Sequence, residues 1–563
     1  MKEFIKYLLG LATALLTFAS CSDFLDQNPD LRTTLDSEEK VASILISAYT
    51  TGAGSYQILA ELSSDNACDH GSHMNYNQFY KDVYEWAEDV ASNNDSPGNV
   101  WSSNYSNIAE ANQALSAIND LGGPVTEQLK ASKGEALLCR AYSHFILANL
   151  FCMPYNEATA DNYLGIPYMD HAETDLNPKY QRGTLREVYE KIGKDIEEGI
   201  PLINDNLYKV PKYHFNYKAA CCFASRYYLF MHNWDKAIEY AKKAMTDNLT
   251  LRDYDAIAAI PDGTPRHQEY VNSASAANFL VQAATSAAGT VFGRYSTAGR
   301  YGHGEIIGTY ETFASQKIDP IEQADGTLKY FANGAPWGSP SFKVNRVVLS
   351  SSRKYLLPRT WYIFQYTDPV AGTGFSKAVS VLFSVEEAIL NYVEANIMKM
   401  SEDPTCGDEA LRYLNLWAGN LFTSNTSNMT KESLVNWLSH TGYSEPYVGK
   451  TSSTSPQTLT PKKRLYAAPY AEIDALDDTN EQKALLHTLI FARRYQFLHE
   501  GMRWFDTRRF GITVYRYLLD QDDKTILQIT DKISDESGIA DPRRALQLPS
   551  DVIFAGLTPN PRN

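Results

Sequence analysis

Cysteine is scarce, with seven residues in 563, and none stand in the paired CxxC spacing of a structural metal site. Six of them, Cys68, Cys139, Cys152, Cys221, Cys222 and Cys406, follow Cys21, and four of those six sit in apolar helical segments. That setting suits small buried hydrophobes and predicts mostly free thiols, even in an exported chain where disulfides can form. Positive charge is also short: 51 Lys+Arg face 67 Asp+Glu, a formal net charge of −16. The deficit disfavours nucleic acid and anionic membrane surfaces as partners. After the first twenty residues, no apolar run is long enough to span a bilayer. No Pro/Ser/Gly-rich linker divides the chain, so despite its length it reads as one large unit with irregular insertions.

Catalytic signatures are missing as well. There is no G-x-S-x-G elbow and no H-E-x-x-H. Gly302-His303-Gly304 lacks the strand-to-helix surroundings of a phosphate loop. His70 and His73 stand as H-x-x-H, but a metal needs further ligands and Asp69 is a weak third. Paired carboxylates for glycoside hydrolysis can lie far apart in a chain, and nothing here singles out a pair. No catalytic residue, metal or cofactor is therefore expected.

What the sequence does have begins at its start. Lys2 and Lys6 precede the apolar run Tyr7–Ala19, which is too short for a permanent membrane span and reads as a secretion signal. Ala19 and Ser20 then precede Cys21, an ending that resembles a bacterial lipobox, with Phe18 an unusual occupant three positions before the cysteine. Residues 1–20 are predicted to be removed and Cys21 to carry the acyl chains that anchor the protein. Residues 21–36 then form a polar tether, and residues 37–563 a single domain.

Helical periodicity governs much of that domain. Asp36 or Ser37 opens a helix with Glu38 and Glu39 in its first turn and Val41, Ile44, Leu45, Ala48 and Tyr49 on its apolar face. Further helices are predicted at about 100–121, stopped by Gly122-Gly123-Pro124, at about 126–151, and at 184–203. Residues 216–231 and 234–245 form a pair around the turn His232-Asn233. With Ala237 at the small-residue position of the second helix, Ser225 and Tyr228 fall where a tetratricopeptide repeat wants a small residue and an aromatic. A comparable unit recurs at 385–398 and 408–417. Small residues at such positions let neighbouring helix pairs bury one another's faces. Two long excursions interrupt this scaffold, at about 247–380 and 421–482, with short strands plausible at 347–349 and 361–364. Long loops in a compact protein are where a ligand site is sought.

The segment Phe491-Ala-Arg-Arg-Tyr-Gln-Phe-Leu-His-Glu-Gly-Met-Arg-Trp-Phe-Asp-Thr-Arg-Arg-Phe510 reads as a C-terminal helix. It resembles the most recognisable stretch of the SusD/RagB family of outer-membrane nutrient-binding lipoproteins: an arginine pair, an aromatic, then Glu-Gly-x-Arg-Trp-Phe-Asp. Cys21-Ser-Asp-Phe-Leu-Asp26, the helix with Arg140-Ala141-Tyr142, and the tail Leu546–Pro549 with Asn560-Pro561 are similar to that family in the same order. Taken alone, Glu500, Arg503, Asp506, Arg508 and Arg509 invite an acid/base reading. At i, i+3 spacing, Glu500–Arg503 and Asp506–Arg509 read better as ion pairs that pin the last helix to the repeats.

The resemblance implies a mostly α, tetratricopeptide-like, SusD-like fold with irregular excursions. It further implies a non-enzymatic, surface-exposed lipoprotein of the outer membrane that captures oligosaccharides for a SusC-like TonB-dependent transporter. Ligand would lie on an aromatic arc drawn from early and middle loops. With 37 tyrosines, the chain is rich in rings that offer an apolar face and a polar tip. Asp69, His73, Tyr76, Arg300, Tyr301 and Trp337 are the expected contacts, whereas Tyr84 and Trp86 are expected in the core. A peptide-capturing, RagB-like role, a surface glycoside hydrolase and a scaffold binding only proteins remain as alternatives.

Overall fold

The computed structural model describes residues 34–562, except 176–177, 247–248, 293–298, 315–320, 323–327, 330–333, 339–341, 345–346, 350–353, 424–427 and 453–457. The lipidation site expected at Cys21 lies outside the described residues. The fold is mostly α-helical with short strands, as the sequence pattern requires.

Caps and periodicity set the helices. Ser37 caps Glu38–Ile44, which tightens into the 3-10 turn Leu45–Ala48. Thr126 caps Glu127–Phe151, the most buried of the long helices, which packs against Pro97–Asp120. Thr184 and Glu187 close a capping box at the start of Leu185–Gly199. That helix stops short of residue 203 because Pro201 lacks a donor, and Ile200–Leu202 continues as a 3-10 turn.

The tetratricopeptide-like pair is Tyr217–Phe230 with Trp234–Met245. Ala237, Ala241 and Ala244 are fully buried, and Ser225 donates to the Ala237 carbonyl at 3.0 Å. Small side chains bring the two backbones this close. Trp234–Met245 next packs on Val385–Met398, and that helix on Cys406–Leu421. Buried ion pairs fasten the stack: Arg226 to Glu387 at 2.6 and 2.7 Å, and Arg252 to Glu386 at 2.7 and 3.1 Å.

The first excursion is less irregular than its composition suggests. Asn278–Thr285, Thr373–Ser384 and Trp361–Asp368 form an antiparallel sheet with Thr373–Ser384 in the middle. The expected strand at 347–349 pairs with Lys354–Leu356. Asn278–Thr285 and the second half of Thr373–Ser384 are buried at consecutive residues and so lose the alternation that marks a strand in sequence, which is why neither gave a signal. A hairpin, Val514–Leu519 with Ile526–Ile533, follows near the C-terminus. Among the described residues, no helix is long and apolar enough to cross a membrane.

The expected single helix at 491–510 is broken. Glu481–Gln496 and Met502–Arg509 are separate helices, with His499 at φ 70° and Gly501 at φ 79° between them. The buried Glu61 carboxylate organises the break, accepting the His499 N–H at 3.0 Å and the Gly501 N–H at 3.3 Å. A Cβ at Gly501 would stand 3.2 Å from the Gln57 Cα and 3.2 Å from the Tyr56 ring. Left-handed backbone and close packing both demand glycine there. Gly501→Ala is expected to destabilise the protein by about 1–3 kcal/mol. Urea unfolding measures this, and an unchanged midpoint would contradict it.

Candidate functional site

A four-stranded sheet assembles residues distant in sequence, in the order Ile526–Ile533, Val514–Leu519, Cys68–Asp69, Tyr301–Gly302. Asp69 faces Tyr301 on one side, antiparallel, and Leu518 on the other, parallel. The two loops continue to pair beyond the sheet. Arg300 donates its backbone N–H to Asn75 at 3.0 Å, and His70 donates its own to the Arg300 carbonyl at 2.9 Å. Five of the six expected site residues, Asp69, His73, Tyr76, Arg300 and Tyr301, therefore meet along one edge.

Each takes a different part there. Arg300 grips Asp69 through Nε and Nη2 at 2.6 and 2.8 Å, a bidentate pair that raises the arginine above its usual range. About a quarter of the Arg300 side chain stays exposed. The guanidinium lies 5.6 Å from the Tyr301 ring centroid. Tyr301 itself is buried against Tyr84 at 5.0 Å and serves as backing, not as an open face. Tyr76 is 54% exposed, its hydroxyl donating to Gln78. His73, on the same loop, is exposed as well. The turn needs Gly71, at φ 94°, because a Cβ there would meet the His73 ring and the Leu519 carbonyl at 3.3 Å.

Under this edge lies a feature that sequence reading missed. Cys68 Sγ is 3.8 Å from His70 Nε2, and His70 Nδ1 is 2.5 Å from Asp523 Oδ1. The order matches a thiol–imidazole–carboxylate triad, but all three side chains are buried. Burial pushes the Cys68 thiol well up, and the sulfur donates to the Gly302 carbonyl at 3.4 Å. A protonated, enclosed thiol is no nucleophile. The row instead ties the 68–77 loop to the turn at 520–525. Nothing local in the sequence could have found it, since 453 residues separate His70 from Asp523.

Trp337 is not brought to this edge. It is 2% exposed and packs in the core on Phe491 at 4.7 Å, Trp417 at 5.2 Å and Phe422 at 5.4 Å. Tyr84 and Trp86 are core residues, as expected, with the Arg516 guanidinium 3.9 Å from the Trp86 ring. His70 and His73 diverge, one buried and one exposed. Among the described residues, no cluster of three or more His, Cys, Asp or Glu is placed to hold a metal. Cys68, Cys139, Cys152, Cys221 and Cys222 are free and buried, and Cys406 is free and half-buried.

The C-terminal motif is a buried ionic lattice. Arg493 holds Asp506 at 2.9 and 3.0 Å, Arg509 holds Glu394 at 2.6 and 3.1 Å, and Arg503 holds Asp65 at 2.7 and 2.8 Å. Asp506 and Arg509 pair at 2.9 Å as their spacing predicts. Glu500 and Arg503 do not, because Glu500 lies in the helix break and accepts from the Tyr270 hydroxyl at 3.1 Å. These groups fasten the last two helices to the scaffold and leave no open face for acid/base chemistry.

A SusD-like family model, described as starch-binding and associating with the outer membrane, matches residues 23–229. No match is found among curated proteins. Among solved structures, a SusD superfamily protein from Bacteroides thetaiotaomicron is 19% identical with a TM-score of 0.58, covering 94% of this chain and 100% of its own. A SusD-like carbohydrate binding protein from Bacteroides vulgatus is 14% identical with a TM-score of 0.56, covering 92% and 96%. A laminarin binding SusD-like protein is 15% identical with a TM-score of 0.51, covering 93% and 99%. At these identities the structural likeness is one of fold.

Proposed function

The chain is SusD-like, by family model over residues 23–229 and by fold over nearly its whole length, and on that premise we propose that it is a glycan-binding surface lipoprotein. In this reading it is anchored through Cys21, captures oligosaccharides at the outer membrane and passes them to a SusC-like TonB-dependent transporter. It binds and releases its ligand without breaking a bond.

The observation that carries the reading is the edge where Tyr76, His73 and the Arg300–Asp69 pair gather. Tyr76 offers a ring face to the C–H surface of a sugar. The Arg300 side chain stays about a quarter exposed, and its grip on Asp69 holds the guanidinium still, so little side-chain entropy would be lost on meeting sugar hydroxyls. The carbohydrate-binding neighbours support the ligand class. A hydrolase needs an acid and a second carboxylate free to act across a glycosidic bond. On this edge Asp69 is already committed to Arg300.

Titration of the chain lacking residues 1–21 with a panel of neutral oligosaccharides tests the assignment. Arg300→Ala removes charge-assisted hydrogen bonds and is expected to weaken binding by about 10–100-fold, and Tyr76→Ala by about 5–10-fold. Unchanged affinity in both variants would place the ligand elsewhere. Binding of oligopeptides alone would favour a RagB-like role.

A further inference from the structure

A second concave surface lies away from the strand edge, on the long helix Pro97–Asp120. Its walls are that helix, residues 167–173 with 178–181, and the short helix Ser550–Phe554 with residues 555–557. The groove encloses about 790 Å³. Sites for small ligands run roughly 300–1,000 Å³ and combine apolar and aromatic walls with a few polar groups.

The walls are held before any ligand arrives. Trp101 packs edge-on against Phe151 at 5.3 Å and tilts onto Tyr105 at 5.0 Å. Tyr105 donates its hydroxyl to the Pro167 carbonyl at 2.7 Å. Asn112 donates to the carbonyls of Met169 and His171 at 3.1 and 3.0 Å. Arg182 reaches the Thr558 carbonyl at 2.8 Å and so links the second wall to the third. Because these polar atoms are spent within the walls, the groove presents ring faces and C–H groups.

Charge at the lip selects the occupant. Glu173 accepts the Tyr180 hydroxyl at 2.9 Å, Lys179 stands exposed beside it, and His171 pairs with Asp170 at 2.9 Å. Among the lining residues Glu173 is the one acid and Lys179 the one lysine, on a chain whose formal net charge is −16, and Asp170 behind them is paired with His171 and 3.5 Å from Lys191. Such a balanced lip gives a polyion no advantage, while offering donors and acceptors to hydroxyls.

We infer that this groove is a second glycan subsite, which takes a neutral oligosaccharide against the half-buried Tyr105 and the exposed Tyr180, with the buried Trp101 as backing. The inference rests on the glycan-binding reading above. Two subsites on one chain would let a long glycan engage both, so that the second contact forms at high effective concentration.

The test is calorimetric titration of the chain lacking residues 1–21 with malto-, laminari-, xylo- and mannohexaose. For the hexaose that binds, the inference expects two sites per chain. Tyr180→Ala, at a position 38% exposed, should abolish one with at least a tenfold loss and leave the other unchanged. Leu557→Glu should do the same by placing a charge on the third wall. Arg300→Ala should remove the complementary site. A single site lost in Arg300→Ala and untouched by Tyr180→Ala and Leu557→Glu would overturn the inference and leave the function standing. Two sites that both survive Tyr180→Ala and Leu557→Glu would also overturn it. Silence across the four hexaoses would overturn both.

Discussion

Asp65→Ala is expected to lower the unfolding free energy by about 3–5 kcal/mol, because it leaves buried cations without their counter-charge. The Asp65 side chain is 7% exposed and accepts both Arg503 contacts. Arg494 lies 3.4 Å away and Lys463 4.0 Å away. Burial alone would raise this carboxyl, but the Arg494 and Arg503 guanidiniums overcome it and hold the group far below the usual carboxylate range. Without Asp65, Glu311 stays bonded to Lys463 and 2.9 Å from Arg494, while Arg503 loses its bidentate partner. With about 2.1 cal/mol/K of unfolding entropy per residue, the loss corresponds to a Tm drop of about 4 °C. Adding Arg503→Met should recover part of it, since replacing both members of a buried pair costs less than orphaning one. A Tm within about 1 °C of the unaltered chain would show that this lattice does not hold the last helices.

The second large effect is steep acid unfolding after a level stretch. Two sets of buried groups oppose each other between pH 7 and pH 4.5. Burial raises Glu61 and Glu500 from the ordinary glutamate value of 4.5 to about 7. Their stabilising contribution is fully present below 4.5 and is lost as pH rises through 7. Burial lowers His144 from 6.5 to about 3 and His232 to about 4. Those imidazoles stabilise the fold above 6.5 and lose that contribution as pH falls towards the lowered values. The two changes nearly cancel, so Tm should vary little between about pH 5 and pH 8. Below 4.5 the cancellation ends. Asp65, Glu311, Glu386 and Asp506 are held low by arginine or lysine partners that outweigh the cost of burial, and all four lose stability as the unfolded chain takes up protons. Each such group contributes up to about 1.4 kcal/mol per pH unit, so the fall should be several kcal/mol between pH 4.5 and pH 3. Calorimetric scans across pH decide this. A Tm still level at pH 3, or one declining steadily from pH 7, would contradict the assignment.

The sequence carried the helical scaffold because its signals are local. Ala237, Ala241 and Ala244 recur at helical spacing, and Ser37, Thr126 and Thr184 mark helix starts within one turn of their partners. Its failures at the helix break and at the candidate site are long-range. The break at Gly501 exists because Glu61, about 440 residues earlier, accepts N–H groups that a continuous helix would have used. Trp337 sits in a stretch that reads as loop, yet three rings from two later segments enclose it. The candidate edge was legible in type, as aromatic and charged residues in two loops. Its assembly depended on Asp69 meeting Arg300 across 231 residues, which no local pattern encodes. The His70–Asp523 contact was invisible for the same reason.

The most direct test of the central claim is calorimetric titration of the chain lacking residues 1–21 with neutral oligosaccharides, followed by chromatography of the recovered sugar. The account predicts saturable binding of at least one glycan, weakened by Arg300→Ala and Tyr76→Ala, with the sugar recovered at its original length. Shortened products formed with steady turnover would contradict it, as would saturable binding of peptides with none of any glycan.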